Sequence, residues 1–513
     1  MTRAVTNAGF PPFPPFPPFP SSPSIAMTRT KVVLYNPRAV FFTMPLALLA
    51  IGSALDPTRY DVRIIDGRLE KDPVAAVLAE LDDAVCLGVT VLTGAPIRDA
   101  LQVCRAAKAH WPALPVVWGG WHASLFPTDT LVEPSVDFTV QGQGEATFVE
   151  LVERFAAGNW QPNGPGLGVA GTVERVDGAP WRNLARAMTD MNELPAHDYR
   201  LMEVERYYKL KGERQLDYIS STGCFFRCAF CADPFVFKRR WTALEPERMG
   251  QEAEALWQRY RFDDLAFQDE TFFTYRDRVV AVAEEFLRRF APATNGAAPA
   301  ANATFTWTAT MRADQGVRLS DDAFALCVRS GLRRVMIGVE SGSQEMMDWM
   351  KKDIRVEDVI KSAEMCVRHG VGVIFPFIVG FPGESDESVR ASMELVKRLR
   401  SMSPQFETPI FYFKPYPGSQ ITDEVVRQGY SLPQTLDEWA DFDFVGSSGP
   451  WVTPEKYEMI ERFKFYNRFA WGPETLRRRP LQAVARWRVR KDFYRAPVEK
   501  RVVDRLKPLP KLS

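Results

Sequence analysis

Along two stretches of the chain, short apolar runs alternate with segments whose apolar positions recur at helical spacing. In the first stretch, residues 31–35 (KVVLY), 61–66 (DVRIID), 84–92 (AVCLGVTVL), 115–120 (PVVWGG) and 136–142 (VDFTVQG) read as strands. The intervening segments read as helices, among them DPVAAVLAEL at 72–81, which starts on an Asp cap, and EATFVELVERFAAG at 145–158. Strands alternating with helices imply βαβ units and a parallel sheet, and near-continuous apolar strands imply cover on both faces. The charge-free run at 39–55 (AVFFTMPLALLAIGSAL) is short for a bilayer and holds Pro45, so it reads as a loop followed by a buried helix.

A connector follows at about 161–199, with NGPGLG and NELPAHDY in it. The second alternating series then begins near Gln215. Its strand-like pieces are 216–221 (LDYISS), 264–269 (DLAFQD), 304–310 (TFTWTAT), 333–340 (RRVMIGVE), 372–380 (GVIFPFIVG) and 409–416 (PIFYFKPY). Six repeats predict a barrel-like parallel sheet, short of the eight of a full barrel. Functional residues then belong at the C-terminal ends of these strands.

The length of 513 residues is too great for one ordinary core. The expected division is a disordered Pro/Phe-rich tail at 1–29, a first domain at 30–160, a linker at 161–210, a barrel at 211–435 and a helical, basic region at 436–513. The tail holds PPFPPFPPFP at 11–20, a polyproline-like run that forms no core and no signal peptide. Translation is expected to start at Met27, or else 1–26 form a disordered tail. Lys+Arg and Asp+Glu both number 64, a balance that argues against nucleic acid as a partner. Seven mostly scattered cysteines form no disulfide framework and fit a reducing cytoplasm. Charge does change the picture at residues 477–513, where thirteen Lys/Arg face three Asp/Glu and Trp487, Phe493 and Tyr494 are interspersed.

Three of the cysteines, Cys224, Cys228 and Cys231, fall within eight residues, in TGCFFRCAFCADP at 222–234. A structural zinc site needs four ligands, and the nearest further candidate, His197, lies twenty-seven residues upstream. A four-iron cluster normally takes four thiolates, so three leave one iron open to chemistry. A zinc loop and a chance cluster are the alternatives. The spacing C-x3-C-x-aromatic-C resembles the signature of radical S-adenosylmethionine (SAM) enzymes. The resemblance spans about 215–430. It implies a [4Fe–4S] cluster held by Cys224, Cys228 and Cys231, with the SAM amino and carboxylate groups on the fourth iron.

The same resemblance implies further SAM contacts. Phe230 would pack near the adenine. Asp269 or Glu270, in FQDETFFT at 267–274, would meet the SAM amino group, unless they only cap a strand. Arg312, in TMRAD, could pair with the SAM carboxylate or with a surface acid. Glu340 and Ser341, in GVESG, suit ribose or methionine contacts. In FIVGFPGE at 377–384, Ile378 would line the adenine and Gly380 would permit close backbone approach, while Glu384 either belongs to the pattern or begins the following helix. PYPGS at 415–419 resembles a substrate-facing loop.

The first domain resembles the cobalamin-binding domain that precedes the radical SAM barrel in one large subfamily. YNP at 35–37, TVLTG at 90–94, WGGWHAS at 118–124 and VDFTVQGQGE at 136–145 carry that resemblance. It implies a corrin across the C-terminal edge of the sheet and a nucleotide tail between strand and helix. Thr90, Leu92, Gly119, Gly120 and Gly142 would contact cobalamin; His122 would contact the tail or backbone, or be structural. Many such domains offer a cobalt-ligating histidine after the first strand, but here the sequence is NPRAVFFTMP. The resemblance then implies a lower face without that histidine, which favours transfer of a methyl group as a radical-like fragment. A flavodoxin-like domain without corrin is the alternative.

The expected fold is therefore α/β: an N-terminal flavodoxin-like (Rossmann-type) cobalamin-binding domain, a partial (β/α)6 TIM-like radical SAM barrel and a helical basic C-terminal region. The expected activity is C-methylation of an unactivated carbon after a 5′-deoxyadenosyl radical removes hydrogen. Oxidative cyclisation of the anaerobic magnesium-protoporphyrin monomethyl ester cyclase type is the second reading, and a non-enzymatic cobalamin sensor the third. Expected partners are a small-molecule, lipid or porphyrin substrate and a flavodoxin- or ferredoxin-type electron donor. The basic tail reads either as a solvated helical segment beside the barrel mouth or as a peripheral membrane contact.

Overall fold

The computed structural model describes residues 29–290, 304–442, 449–472 and 479–506. The Pro/Phe-rich run and Met27 lie outside the described residues.

The first sheet contains β1 (Thr30–Asn36), β2 (Tyr60–Asp66), β3 (Ala84–Thr90), β4 (Val116–Gly119) and β5 (Phe138–Val140). These run parallel in the order β2-β1-β3-β4-β5. That is the flavodoxin-like order, which opens a crevice at the carboxyl ends of β1 and β3. Asp72 caps the helix Pro73–Leu78 as its sequence implies, accepting from the Ala75 N–H. The expected linker is not only a connector. It adds β6 (Thr172–Val176) and β7 (Ala179–Arg182), antiparallel, to the same sheet. The hairpin between them turns at Asp177–Gly178, both with positive φ, as a tight primed turn requires.

The second sheet begins with β8 (Gln215–Tyr218), after which β9 (Ser221–Gly223) and β10 (Trp241–Ala243) form a small antiparallel pair. The barrel continues through β11 (Asp264–Phe267), β12 (Thr306–Arg312), β13 (Leu332–Gly338), β14 (Gly372–Ile374), β15 (Phe377–Val379), β16 (Phe406–Glu407) and β17 (Ile410–Tyr412). Six strands lie parallel in the order β8-β11-β12-β13-β14-β16, and β15 pairs with β17 beyond them. The fifth expected strand is split at Pro376, and the sixth starts just after Pro409, which a short strand precedes, because proline offers no N–H to the ladder. The ladder resumes through Pro376 O and Pro409 O, which accept from Glu340 N and Phe377 N.

Two apolar clusters cover the two faces of the first sheet, and a larger one fills the barrel. The helix Leu436–Ala440 crosses back to the first domain and buries Trp439 in its core. The helices Pro454–Ala470 and Arg479–Arg490 extend the barrel core through Phe463 and Val489. Among the described residues no helix is long and apolar enough to cross a membrane.

His122, expected to contact the tail or backbone or to be structural, takes part in this packing. It is fully buried against Phe126 and Trp439, with Nδ1 3.1 Å from Thr93 Oγ1, and it lines neither large cavity. Burial pushes its pKa down from 6.5 to about 3. The folded chain thus refuses a proton that the unfolded chain accepts. The stability this provides is complete above about 6.5 and is lost as pH falls towards about 3. We expect His122→Phe to flatten the fall of unfolding free energy across that window, measured by denaturant titrations at several pH values. An unchanged slope would mean that the ring protonates freely in the folded state.

Candidate active site

The three cysteines sit on the loop between β9 and β10, whose antiparallel pairing clamps both ends. Gly223, just before Cys224, takes φ 82°, and a Cβ there would meet Arg240 O at 2.4 Å. Only glycine lets the chain start the loop so close to its return. Ala229, between the second and third cysteines, is held from both sides: its N–H donates to Met350 O at 2.7 Å and its carbonyl accepts from Ile421 N at 3.0 Å. Arg227 adds a bidentate pair with Asp353 at 2.8 and 2.9 Å.

All three thiols are free and partly accessible. Burial pushes Cys224 up to about 12 and raises Cys231 further, so metal-free loops keep these thiols protonated and loading releases protons. Asp233, buried beside the third cysteine, is pushed up to about 7 by the same desolvation. Among the described residues no three Cys, His, Asp or Glu side chains converge on a single-ion site.

Two buried cations back the loop. Arg312 lies with its guanidinium 3.7 Å from the Phe226 ring and Nη1 3.7 Å from Cys228 Sγ, while Nη2 donates to Lys352 O at 2.6 Å and Nε to Asp314 at 3.0 Å. These partners engage the fork that was expected to pair with a SAM carboxylate. Lys352, which sequence reasoning missed, places Nζ 2.8 Å from Glu340 Oε1. No periodicity or motif marks a lysine twelve residues beyond its acid. Glu340 itself takes φ 67°, rare for a residue with a side chain, and its carbonyl accepts from Ile378 N at 2.8 Å.

Other expected SAM contacts divide clearly. Asp269 is closed off: its carboxylate accepts from Ser220 N at 2.8 Å, Ser220 Oγ at 2.6 Å and Ser221 Oγ at 2.6 Å, and Thr310 binds its carbonyl. Glu270, the alternative, turns to a cavity, where desolvation first and Asp233 second push it up to about 8. Ser341, expected to contact SAM, is fully buried against Ser392. Phe230 and Ile378 pack on one apolar cluster with Phe381 and Phe413, as a shared adenine wall would require. Gly380 has φ 76°, and a Cβ there would meet Val452 at 2.5 Å. Glu384 does not begin the next helix, which Ser385 caps; it folds back to accept from Gly380 N at 2.5 Å.

Two cavities meet this loop. The larger, about 800 Å³, has Cys231, Phe230 and Asp233 on one wall and Leu92, Phe41 and Leu125 on the other. The second, about 340 Å³, runs from between the helices Leu46–Ser53 and Glu145–Ala156 to Glu270. Thr90, Gly119, Gly120 and Gly142 line it. A Cβ at Gly119 would meet nothing within 4 Å, whereas at Gly120, with φ 86°, it would meet Thr90 and the Val91 backbone within 3.0 Å. Gly119 therefore keeps the channel open and Gly120 lets the backbone pass. Trp121 borders both cavities.

Comparison with known proteins agrees with this geometry. The family model for the radical SAM superfamily matches residues 218–396, and that for the B12 binding domain matches 34–152; together they cover more than half of the chain. An uncharacterized methyltransferase of Pyrococcus horikoshii is 27% identical over 79% of this chain and 84% of its own length. The anaerobic magnesium-protoporphyrin IX monomethyl ester cyclase of Rubrivivax gelatinosus is 23% identical over 71% of this chain and 63% of its own length. The solved structure of the radical SAM methyltransferase TsrM from Kitasatospora setae, with tryptophan and a SAM analog bound, shares the fold: TM-score 0.63, 19% identity, 78% of this chain and 76% of that one. With a [4Fe–4S] cluster, SAM and cobalamin as its cofactors, the chain is a cobalamin-binding-domain enzyme of the radical SAM superfamily.

Proposed function

We propose that the protein C-methylates an unactivated carbon of a small-molecule or lipid substrate. One observation carries this reading: the third cysteine and the expected corrin-bearing edge of the first sheet face each other across a single cavity of about 800 Å³. Cys224, Cys228 and Cys231 would hold the cluster. Phe230 and Ile378 would wall the adenine, and Glu270 would take the SAM amino group, since Asp269 has no oxygen to spare. Thr90, Gly119, Gly120 and Gly142 would pass the nucleotide tail of cobalamin, with Leu92 under the corrin. When bound, the cluster and SAM supply a 5′-deoxyadenosyl radical and cobalamin a transferable methyl group. The chain's own part is to hold the substrate carbon between these groups and to keep water out with an apolar wall that includes Phe41, Trp121 and Phe230. Val40 and Phe41 stand in the region where related domains offer histidine, which supports a lower corrin face free of that ligand. A flavodoxin- or ferredoxin-type protein would supply electrons, in a reducing cytoplasm.

Oxidative cyclisation is the second reading, and the magnesium-protoporphyrin cyclase relative favours it. Reaction of the reconstituted enzyme with methyl-deuterated SAM separates the two. The proposal expects the deuterated methyl group on the product carbon, whereas a product that loses hydrogen without gaining the label would replace it with cyclisation. Changing any one of Cys224, Cys228 or Cys231 to Ala should abolish cluster absorbance and SAM cleavage while cobalamin still copurifies. Retained SAM cleavage would remove the cluster assignment. Gly119→Leu projects a side chain into open channel space, so we expect an unchanged melting temperature but at least tenfold weaker cobalamin retention on gel filtration. Full retention would place the tail elsewhere.

A further inference from the structure

The segment 479–506 carries an exposed surface that the catalytic reading does not use. Its helix Arg479–Arg490 packs on the barrel through Ala485 and Val489. The opposite side leaves Trp487 51% and Phe493 41% exposed, with their rings 5.7 Å apart. Four residues apart on the next helix, Val498–Leu506, Val498 and Val502 are 58% and 49% exposed. Large apolar side chains left exposed this way cost free energy in water unless something covers them.

The charges around them are one-sided. Each acid of the segment already has a cation: Asp492 pairs with Lys397 at 2.7 Å, Glu499 with Arg488 at 2.8 Å and Asp504 with Lys500 at 2.6 Å. Arg490, Lys491, Arg495 and Arg501 are exposed, and among the described residues none has an ion pair or a side-chain hydrogen bond. The whole chain balances 64 cations against 64 acids, so this excess is local rather than a general basicity.

We propose that this surface docks peripherally on an anionic lipid bilayer. Trp487 and Phe493 enter the interfacial layer, and Arg490, Lys491, Arg495 and Arg501 meet lipid phosphates. A bilayer satisfies both halves of the patch at once. A nucleic acid would take the cations but leave the aliphatic and aromatic side chains in water. Contact rests on modest apolar burial plus charge, so binding is reversible and weakens as salt screens the phosphates.

The test is co-sedimentation of the full-length holoenzyme with vesicles of phosphatidylcholine alone or mixed with phosphatidylglycerol. We expect binding to the mixed vesicles at least tenfold tighter than to the neutral ones, weakened by salt, with a blue shift in tryptophan emission. Trp487→Ser/Phe493→Ser and Arg490→Ser/Lys491→Ser/Arg495→Ser should each lower binding at least fivefold. All five side chains are exposed, and matched melting curves check that the variants fold. Equal binding to both vesicle types, no binding, or binding that both variants retain would overturn the proposal. Displacement of the protein from vesicles by duplex DNA at equal phosphate concentration would reassign the patch to nucleic acid.

Discussion

The carboxylate of Asp217 is the joint on which the arrangement of the two sheets depends. It lies in β8 and is 1% exposed, yet it reaches the first domain by accepting from Met44 N at 2.7 Å. Lys211 Nζ at 2.6 Å and Gln268 Nε2 at 3.0 Å satisfy it from the barrel side. A buried carboxylate with three donors in place is stable; without any one of them it is a buried charge short of partners. Tyr207 Oη, donating to Asp66 at 2.8 Å, adds a second buried link across the same boundary. The loop after β1 is therefore fixed to the first barrel strand, and the crevice of one sheet is held over the mouth of the other.

That juxtaposition turns two ordinary α/β units into one reaction chamber. The first sheet contributes a crevice and a narrow channel kept open by Gly119 and Gly120. The barrel contributes a loop whose thiols are positioned by backbone bonds at Ala229 rather than by their own packing. Behind the loop, Arg312 and the Lys352–Glu340 pair form a dry, charged floor. Glu340 reaches Lys352 only from an uncommon backbone conformation, so part of the fold's stability is committed to shaping this floor.

Much of this was legible in the chain. Period and length of the apolar runs gave nine of the strands' positions closely, from Thr30–Asn36 to Leu332–Gly338, because buried parallel strands are near-continuous in apolar residues. The cysteine spacing was legible because its chemistry lies within eight residues. What stayed hidden depends on partners distant in sequence. Asp269 and Glu270 are neighbours with opposite fates, decided by Ser220 and Ser221 almost fifty residues away. Arg312 was diverted by Phe226 and the Lys352 carbonyl, and His122 by Trp439, which returns to the first domain from beyond the barrel. The hairpin of β6 and β7 could have been read from the Asp-Gly pair at 177–178, and the split of the fifth strand from Pro376.

Under the proposed function, cobalamin and a three-thiolate cluster occupy facing walls of one chamber. Electron paramagnetic resonance of the fully loaded protein tests this most directly, with the cobalt held as cob(II)alamin while the cluster is oxidised or reduced. Reducing the cluster should broaden the cobalt signal and speed its relaxation, and oxidation should reverse both. A cobalt signal that ignores the redox state of a fully loaded cluster would contradict it.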